Sequence, residues 1–473
     1  MVYSINPDFR QYNYNTINRV KTDSVGKKGT AGTTQTLAFT SNPVNYVPLN
    51  PVMNVSPLRT RLEGKEEKNK YNTLLKNLDK DTKKTLKLML KQGILLNANS
   101  NDNSSVLDNL YKIATTPRAA GLSNTGILKD TINTLFSPYN ITQQFGDLPK
   151  GISEQVRDIY MEQKTMRKTN LLDRKIAELD VNVDHSGTCV ASSIEFNLAK
   201  QMPAEFARFA AGISSSDMSV QKQIKLSNLA DNTLDAVWLL NAFEIPFEMK
   251  DFDKATLTFT PDKNAIIRAQ IQTLYKDPYE RSALDVLMQS TFMQVGSQQS
   301  YDSLSDKRAG KFNQNDKGLI EFEKTFTESV VEDKNKISVT YQTVDENAKL
   351  IGYETDLATM KKQITTSLDR GENVIIGYTQ VDDNNYIING HEITIIGYKK
   401  APQTNPNAPE KLIFICNDTD DNQFEPIEYD EDYLLPKIHH AALPHDVVEN
   451  DVQMTENWVE GLNTYKDMKK KAE

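Results

Sequence analysis

Ser186-Gly187-Thr188-Cys189-Val190-Ala191-Ser192-Ser193-Ile194-Glu195-Phe196 sets one of only two cysteines in 473 residues behind a small, flexible tripeptide. The run that follows reads as a helix, because Val190, Ile194 and Leu198 recur at i, i+4 and i+8. Ser186 or Thr188 is placed to cap it through a hydroxyl that accepts from its unpaired N–H groups. A cysteine at that position meets the positive end of the helix dipole, which favours thiolate over thiol. A buried structural cysteine at a helix start is the plainer reading. What favours a nucleophile lies two hundred residues further on.

There the sequence changes character. A helix lined by Leu357, Met360, Ile364 and Leu368 ends at Gly371, and Val374-Ile375-Ile376-Gly377-Tyr378 follows as a β-branched strand. Gly390-His391-Glu392-Ile393-Thr394-Ile395-Ile396-Gly397-Tyr398 is a second strand, and Leu412-Ile413-Phe414-Ile415-Cys416-Asn417-Asp418 a third. Short, turn-rich connections between them predict an antiparallel sheet. The body therefore divides into a helical half bearing Cys189 and a β half bearing His391, an α+β architecture. The helical half continues through 204–211, 233–243 and 265–293, with loop over 295–317. Trp238, in the second of these helices, reads as core.

Toward the N-terminus, residues 1–62 are rich in Asn, Thr, Ser, Gly and Pro and show no period, which predicts a disordered or extended arm. Residues 63–150 form a small helical module. Asp79 or Asp81, and Ser105, sit where helix caps belong, and Gly93 where a helix stops. Docking, a prosegment-like covering of a cleft and structural support are the roles open to it. A charged helix over 153–179 leads to the Cys189 segment, and 446–473 is a charged tail.

Composition narrows the function classes. A net charge of −9, with basic residues clustered only at the tail, argues against a nucleic-acid binder. A hydrophobic content of 38% leaves room for a core only if part of the chain is loop. Two cysteines cannot form a disulfide framework, which suits a reducing compartment. No secretory signal is visible, and no apolar run approaches the roughly 18 residues of a membrane helix. The expectation is a cytoplasmic protein, or one exported without a visible signal peptide, with no membrane span.

Acyl transfer by a thiol needs a base beside the nucleophile and a third group that orients the base. Of five histidines, His391 heads a strand after a glycine. Asn417 ends the next strand and would orient His391 toward Cys189; Asp418 is the rival orienter. Cys416, in an apolar strand, reads as a buried small hydrophobe. His439, His440 and His445 invite a metal reading, but no cysteine or second cluster accompanies them, so structural roles are expected and no metal or other cofactor. The Asp/Asn clusters at 382–385 and 418–422 lack the spacing of a calcium loop and read as turns.

Ser-Gly-Thr-Cys-Val-Ala-Ser-Ser at 186–193, Gly-His followed by an apolar strand and Gly-Tyr at 390–398, and a strand ending in Asn417 together resemble the papain-like cysteine peptidases. The resemblance implies a two-lobe fold over 151–445, with an insertion around 215–345. It also implies Cys189 as nucleophile, His391 as base and acid, and Asn417 as orienter, acting on a peptide or protein substrate. The chain departs from that pattern at Val183, where the family carries an oxyanion-hole Gln, and at Val190 and Thr419, where it carries Trp. Asn182 or His185 would have to supply the missing donor. Two other readings stand beside a peptidase: a catalytically silent scaffold for binding or structure, which Val183 favours, and a transglutaminase-like acyl transferase, which Asp418 as orienter favours.

Overall fold

The computed structural model describes residues 58–144, 186–274, 281–308, 317–345, 347–402, 410–420, 425–448 and 455–456. The N-terminal arm up to residue 57, the charged helix at 153–179, Asn182, His185 and the end of the tail lie outside them. Among the described residues the chain is α+β: helices gather on one side of an antiparallel sheet, and a single longer helix covers the other. No helix among them is long and apolar enough to cross a membrane.

Four helices come first among the described residues: α1 (Gly64–Asn77), α2 (Lys80–Lys91), α3 (Val106–Thr115) and α4 (Asn124–Phe136). Their caps are the expected ones. Asp79 accepts from the N–H groups of Asp81 and Thr82, and Ser105 forms a reciprocal capping box with Asp108. α5 (Cys189–Gln201) follows, and Pro203 starts α6 (Pro203–Ile213) directly behind it. A small sheet of β1 (Val220–Lys225), β2 (Phe247–Asp251) and β3 (Lys254–Phe259) comes next, with α7 (Thr233–Ala242) between its strands. The helical stretch expected over 265–293 is two helices, α8 (Ala265–Leu274) and α9 (Ala283–Gly296). α10 (Glu321–Glu332) then leads into the main sheet.

Among the described residues that sheet has seven strands, β4 (Lys336–Thr340), β7 (Val374–Val381), β8 (Ile387–Lys400), β9 (Leu412–Asn417), β10 (Ile427–Asp430), β11 (Ile438–Pro444) and β12 (Thr455–Glu456), in the order β10-β9-β8-β7-β11-β4-β12, while β5 (Gln342–Val344) and β6 (Leu350–Tyr353) pair separately. Alternation along the strands gives it two apolar faces. Ile375, Ile396 and Ile415 join the helical core, while Val374, Ile376, Ile393, Ile395, Phe414 and Cys416 join a second core under α11 (Leu357–Asp369). The helical core is continuous from Leu74 through Ile194 and Phe206 to Phe326. The module at 63–144 is thus built into the same core as the Cys189 helix.

Candidate active site

Cys189 is the first residue of α5 and is partly buried. Neither predicted cap is made: Thr188 occupies the cap position, but among the described residues no side-chain cap hydrogen bond is formed. The reason is that Thr188 Oγ1 donates instead to Gln289 Oε1 at 2.9 Å, and it also meets Ser186 Oγ at 2.6 Å. Ser186 and Thr188 therefore leave the positive end of α5 uncapped beside Cys189.

The backbone before Cys189 is held from a part of the sequence that reads only as loop. Gly187 N–H donates to Asp306 Oδ2 at 2.7 Å, and Tyr301 Oη donates to Asp306 Oδ1 at 2.7 Å. A Cβ on Gly187 would lie 2.7 Å from Lys317 Cβ and 3.0 Å from the Gly318 nitrogen, so this close approach requires glycine. Arg308 fixes the far side, donating to the Gly318 carbonyl at 2.6 Å and to Glu323 Oε2 at 2.7 Å. Polar residues inside an aperiodic segment give no signal of such a role; only the tertiary structure reveals it.

His391 stands on β8 and is 7% exposed. Its Nε2 lies 2.7 Å from Asp418 Oδ1, and its ring is in hydrogen-bonding contact with the Cys189 side chain. Burial alone would lower the imidazole pKa, but the Asp418 carboxylate and the Cys189 contact outweigh it and hold it well above the usual histidine range. Tyr378, paired with His391 across β7 and β8, packs edge-on to it with ring centres 5.8 Å apart.

The expected orienter Asn417 is replaced by its neighbour. Thr394 pairs with Asn417 and Ile395 with Cys416, whereas beyond a bulge at Ile396 the pairing runs Gly397 with Ile415. Directly paired residues share a face of the sheet. Asn417 therefore shares the face of Thr394 and Glu392, and Cys416 and Asp418 share that of Ile395 and His391. The Nδ2 of Asn417 is buried without a hydrogen-bond partner among the described atoms. Cys416 is buried as expected, and burial with the nearby Asp418 pushes its thiol well above the ordinary range.

The loop carrying Asp418 is anchored from two sides. Ser192, one turn into α5, meets Thr419 Oγ1 at 2.7 Å. Thr142 Oγ1 and Gln143 N–H both donate to the Thr419 carbonyl, at 3.1 and 3.0 Å. Thr419 thus ties the Cys189 helix, the Asp418 loop and the helical module together. Asp382 accepts from the N–H groups of Asn384 and Tyr386, as a turn residue does. His439 and His440 converge with Glu321 closely enough to share a metal ion, a group that His445 does not join.

No protein-family model and no curated protein matches the chain. Among solved structures, that of the SERA5 proenzyme from Plasmodium falciparum is similar at 11% sequence identity, over 80% of this chain and 95% of that one, with a TM-score of 0.18. At that score the likeness carries no argument about fold or chemistry.

Proposed function

We propose that this chain is a cysteine-dependent hydrolase of peptide or other amide bonds, working through Cys189, His391 and Asp418. The observation that carries the reading is a single buried imidazole in contact with a helix-start thiol on one side and a carboxylate on the other. In this reading the Cys189 sulfur attacks the amide carbon. The C–N bond breaks as His391 passes its proton to the leaving amine, and a thioester remains. Water then attacks the thioester, His391 takes its proton, the C–S bond breaks, and a carboxylic acid leaves. Asp418 keeps Nε2 occupied, so that the other ring nitrogen faces the sulfur throughout. The N–H groups at the start of α5 are the donors available to the developing oxyanion.

The same constellation serves an amine acceptor in place of water, a transglutaminase-like transfer. Asp418 in place of Asn417 is the observation that favours this second reading. One experiment addresses both. The full chain is incubated with a labelled casein, with and without a biotinylated primary amine, and in parallel with iodoacetamide. Casein fragments, together with alkylation lost in Cys189→Ala but kept in Cys416→Ala, are expected. Biotin incorporation without fragments would transfer the assignment to the acyl transferase. Neither product, with alkylation of the two thiols equal, would mark the site as silent.

A further inference from the structure

On the opposite face of the sheet from His391, four strands place a row of residues side by side. Thr340 pairs with His440 across β4 and β11, His440 with Gly377 across β11 and β7, and Gly377 with Glu392 across β7 and β8. Gly377 matters here because a Cβ on it would lie 2.2 Å from His440 Cε1 and 2.7 Å from Glu392 Oε1. Its absence lets His440 Nε2 come within 2.9 Å of Glu392 Oε1 across the empty position. That contact lies off the direction of the ring N–H, so packing holds the ring more than a straight hydrogen bond does.

Consecutive strand residues ordinarily point to opposite faces. In β11 the pairing with β7 slips between Ile438 and His440, leaving His439 as the extra residue of a bulge. The bulge turns both rings toward α10, and their Nδ1 atoms are 3.2 Å apart. Glu321, the first residue of α10, brings Oε1 to 3.0 Å from His439 Nδ1 and 3.9 Å from His440 Nδ1. Thr340 Oγ1 donates to the other carboxylate oxygen, Oε2, at 3.0 Å. One turn along α10, Lys324 Nζ reaches Glu392 Oε2 at 3.1 Å.

We infer that Glu321, His439 and His440 form a binding site for a divalent transition-metal ion of the zinc class. Three donor atoms separated by 3.0, 3.2 and 3.9 Å bracket the spacing of about 3.3 Å that a tetrahedral ion with bonds of about 2.0–2.1 Å imposes on its ligands. Two imidazoles and one carboxylate are the donor types that zinc takes, and not a set for calcium or magnesium. The surroundings match what metal-binding histidines need. His440 has a carboxylate, Glu392, at its remaining nitrogen, and the carboxylate of Glu321 is itself steadied by a hydroxyl. His439, with a side chain 21% exposed, leaves a side open for entry and for a fourth ligand from solvent. The site is separate from the thiol chemistry, although Glu392 and His391 are adjacent on β8 and face opposite ways.

The test is metal binding by the full-length protein after chelator treatment, measured with zinc and with cobalt(II). Cobalt adds a spectrum that distinguishes nitrogen and oxygen donors from a thiolate. Expected are one equivalent of zinc per chain, retained in Cys189→Ala, and a tetrahedral cobalt spectrum without a thiolate charge-transfer band. His439→Ala or Glu321→Gln should weaken binding at least tenfold. Glu392→Gln should weaken it about tenfold, the effect of removing an outer carboxylate, and His445→Ala should leave it unchanged. The inference is overturned by no stoichiometric uptake, by a thiolate band, or by loss of binding in Cys189→Ala with retention in His439→Ala. The cobalt spectrum needs no variant, so a misfolded substitution cannot shelter the proposal.

Discussion

His391 is held between two groups, and the Asp418 carboxylate pushes its pKa up against the opposing effect of burial. Replacing that carboxylate by an amide of the same shape isolates the charge. In a proposed Cys189–His391 pair whose working form carries imidazolium, Asp418→Asn should lower kcat/KM by about 10³–10⁴-fold, the scale seen when a triad acid elsewhere becomes an amide. It should also move the alkaline limb of the pH profile to lower pH, because the Asp418 charge is what raises the imidazole pKa. Asn417→Ala, on the opposite face, should change kcat/KM less than tenfold. A larger loss in Asn417→Ala than in Asp418→Asn would reverse the assignment. Stability gives the same sign by a separate route. A histidine whose folded pKa lies above its unfolded value of about 6.5 contributes stability that is complete below that value and fades as pH rises through the folded one. Urea denaturation from about pH 6 to about pH 10 should therefore fall more steeply for the parent protein than for Asp418→Asn. Parallel curves would mean that the pair carries no charge interaction.

At the scale of elements, two bulges place the candidate chemistry. The one at Ile396 shifts the pairing of β8 with β9 by one residue, and so exchanges Asn417 for Asp418 on the face of His391. The one at His439 brings consecutive side chains to one side of β11. Gly377 ties these features to stability. Gly377→Ala drives a methyl group into the His440 ring within a packed row, and overpacking of this kind costs about 1–3 kcal/mol. Equilibrium unfolding in urea should show that loss, and a change below about 0.5 kcal/mol would show that His440 swings aside freely. Much of the element map was legible in the sequence for simple reasons. Asp79 and Ser105 mark helix starts because a short oxygen-bearing side chain there satisfies free N–H groups, and they do so in the structure. The strands at 374–378, 390–398 and 412–418 were legible from their β-branched runs. Register was not. A bulge of one residue leaves no compositional trace in Ile395-Ile396-Gly397, yet it decides which neighbour meets the histidine. β1 and β11 were missed for a related reason: their polar and small residues blur the apolar alternation, and cross-strand partners far along the chain supply their stability.

The whole molecule sets the role of its first helices. A separable prosegment would bury its own core and touch the rest through a polar surface. Residues 58–144 instead share the continuous helical core, with Tyr139 packed against Phe196 of α5 at 5.4 Å between ring centres. Polar contacts reinforce the joint. Arg118, buried, donates to the Ala211 carbonyl at 2.7 Å and to Ser214 Oγ at 2.9 Å, and Asn101 exchanges two hydrogen bonds with Gln223 of β1. Gln289 Nε2, from the helix that also receives the Thr188 hydroxyl, donates to the Thr142 carbonyl at 2.9 Å. Deleting residues 1–144 would strip apolar cover from α5 and α6, leave Arg118's partners unpaired, and release the Thr419 carbonyl beside Asp418. Buried polar groups left without partners cost about 1–3 kcal/mol each, on a total stability of only about 5–15 kcal/mol. The fragment 145–473 should therefore show no cooperative thermal transition, and its Cys189 and Cys416 should alkylate at similar rates. The full chain should melt with the helical module and the Cys189 helix in one step, as hydrogen exchange at Leu110 and Ile194 would report. A fragment that melts cooperatively at the parent midpoint and keeps the selective reactivity of Cys189 would show that the first four helices are an appendage after all.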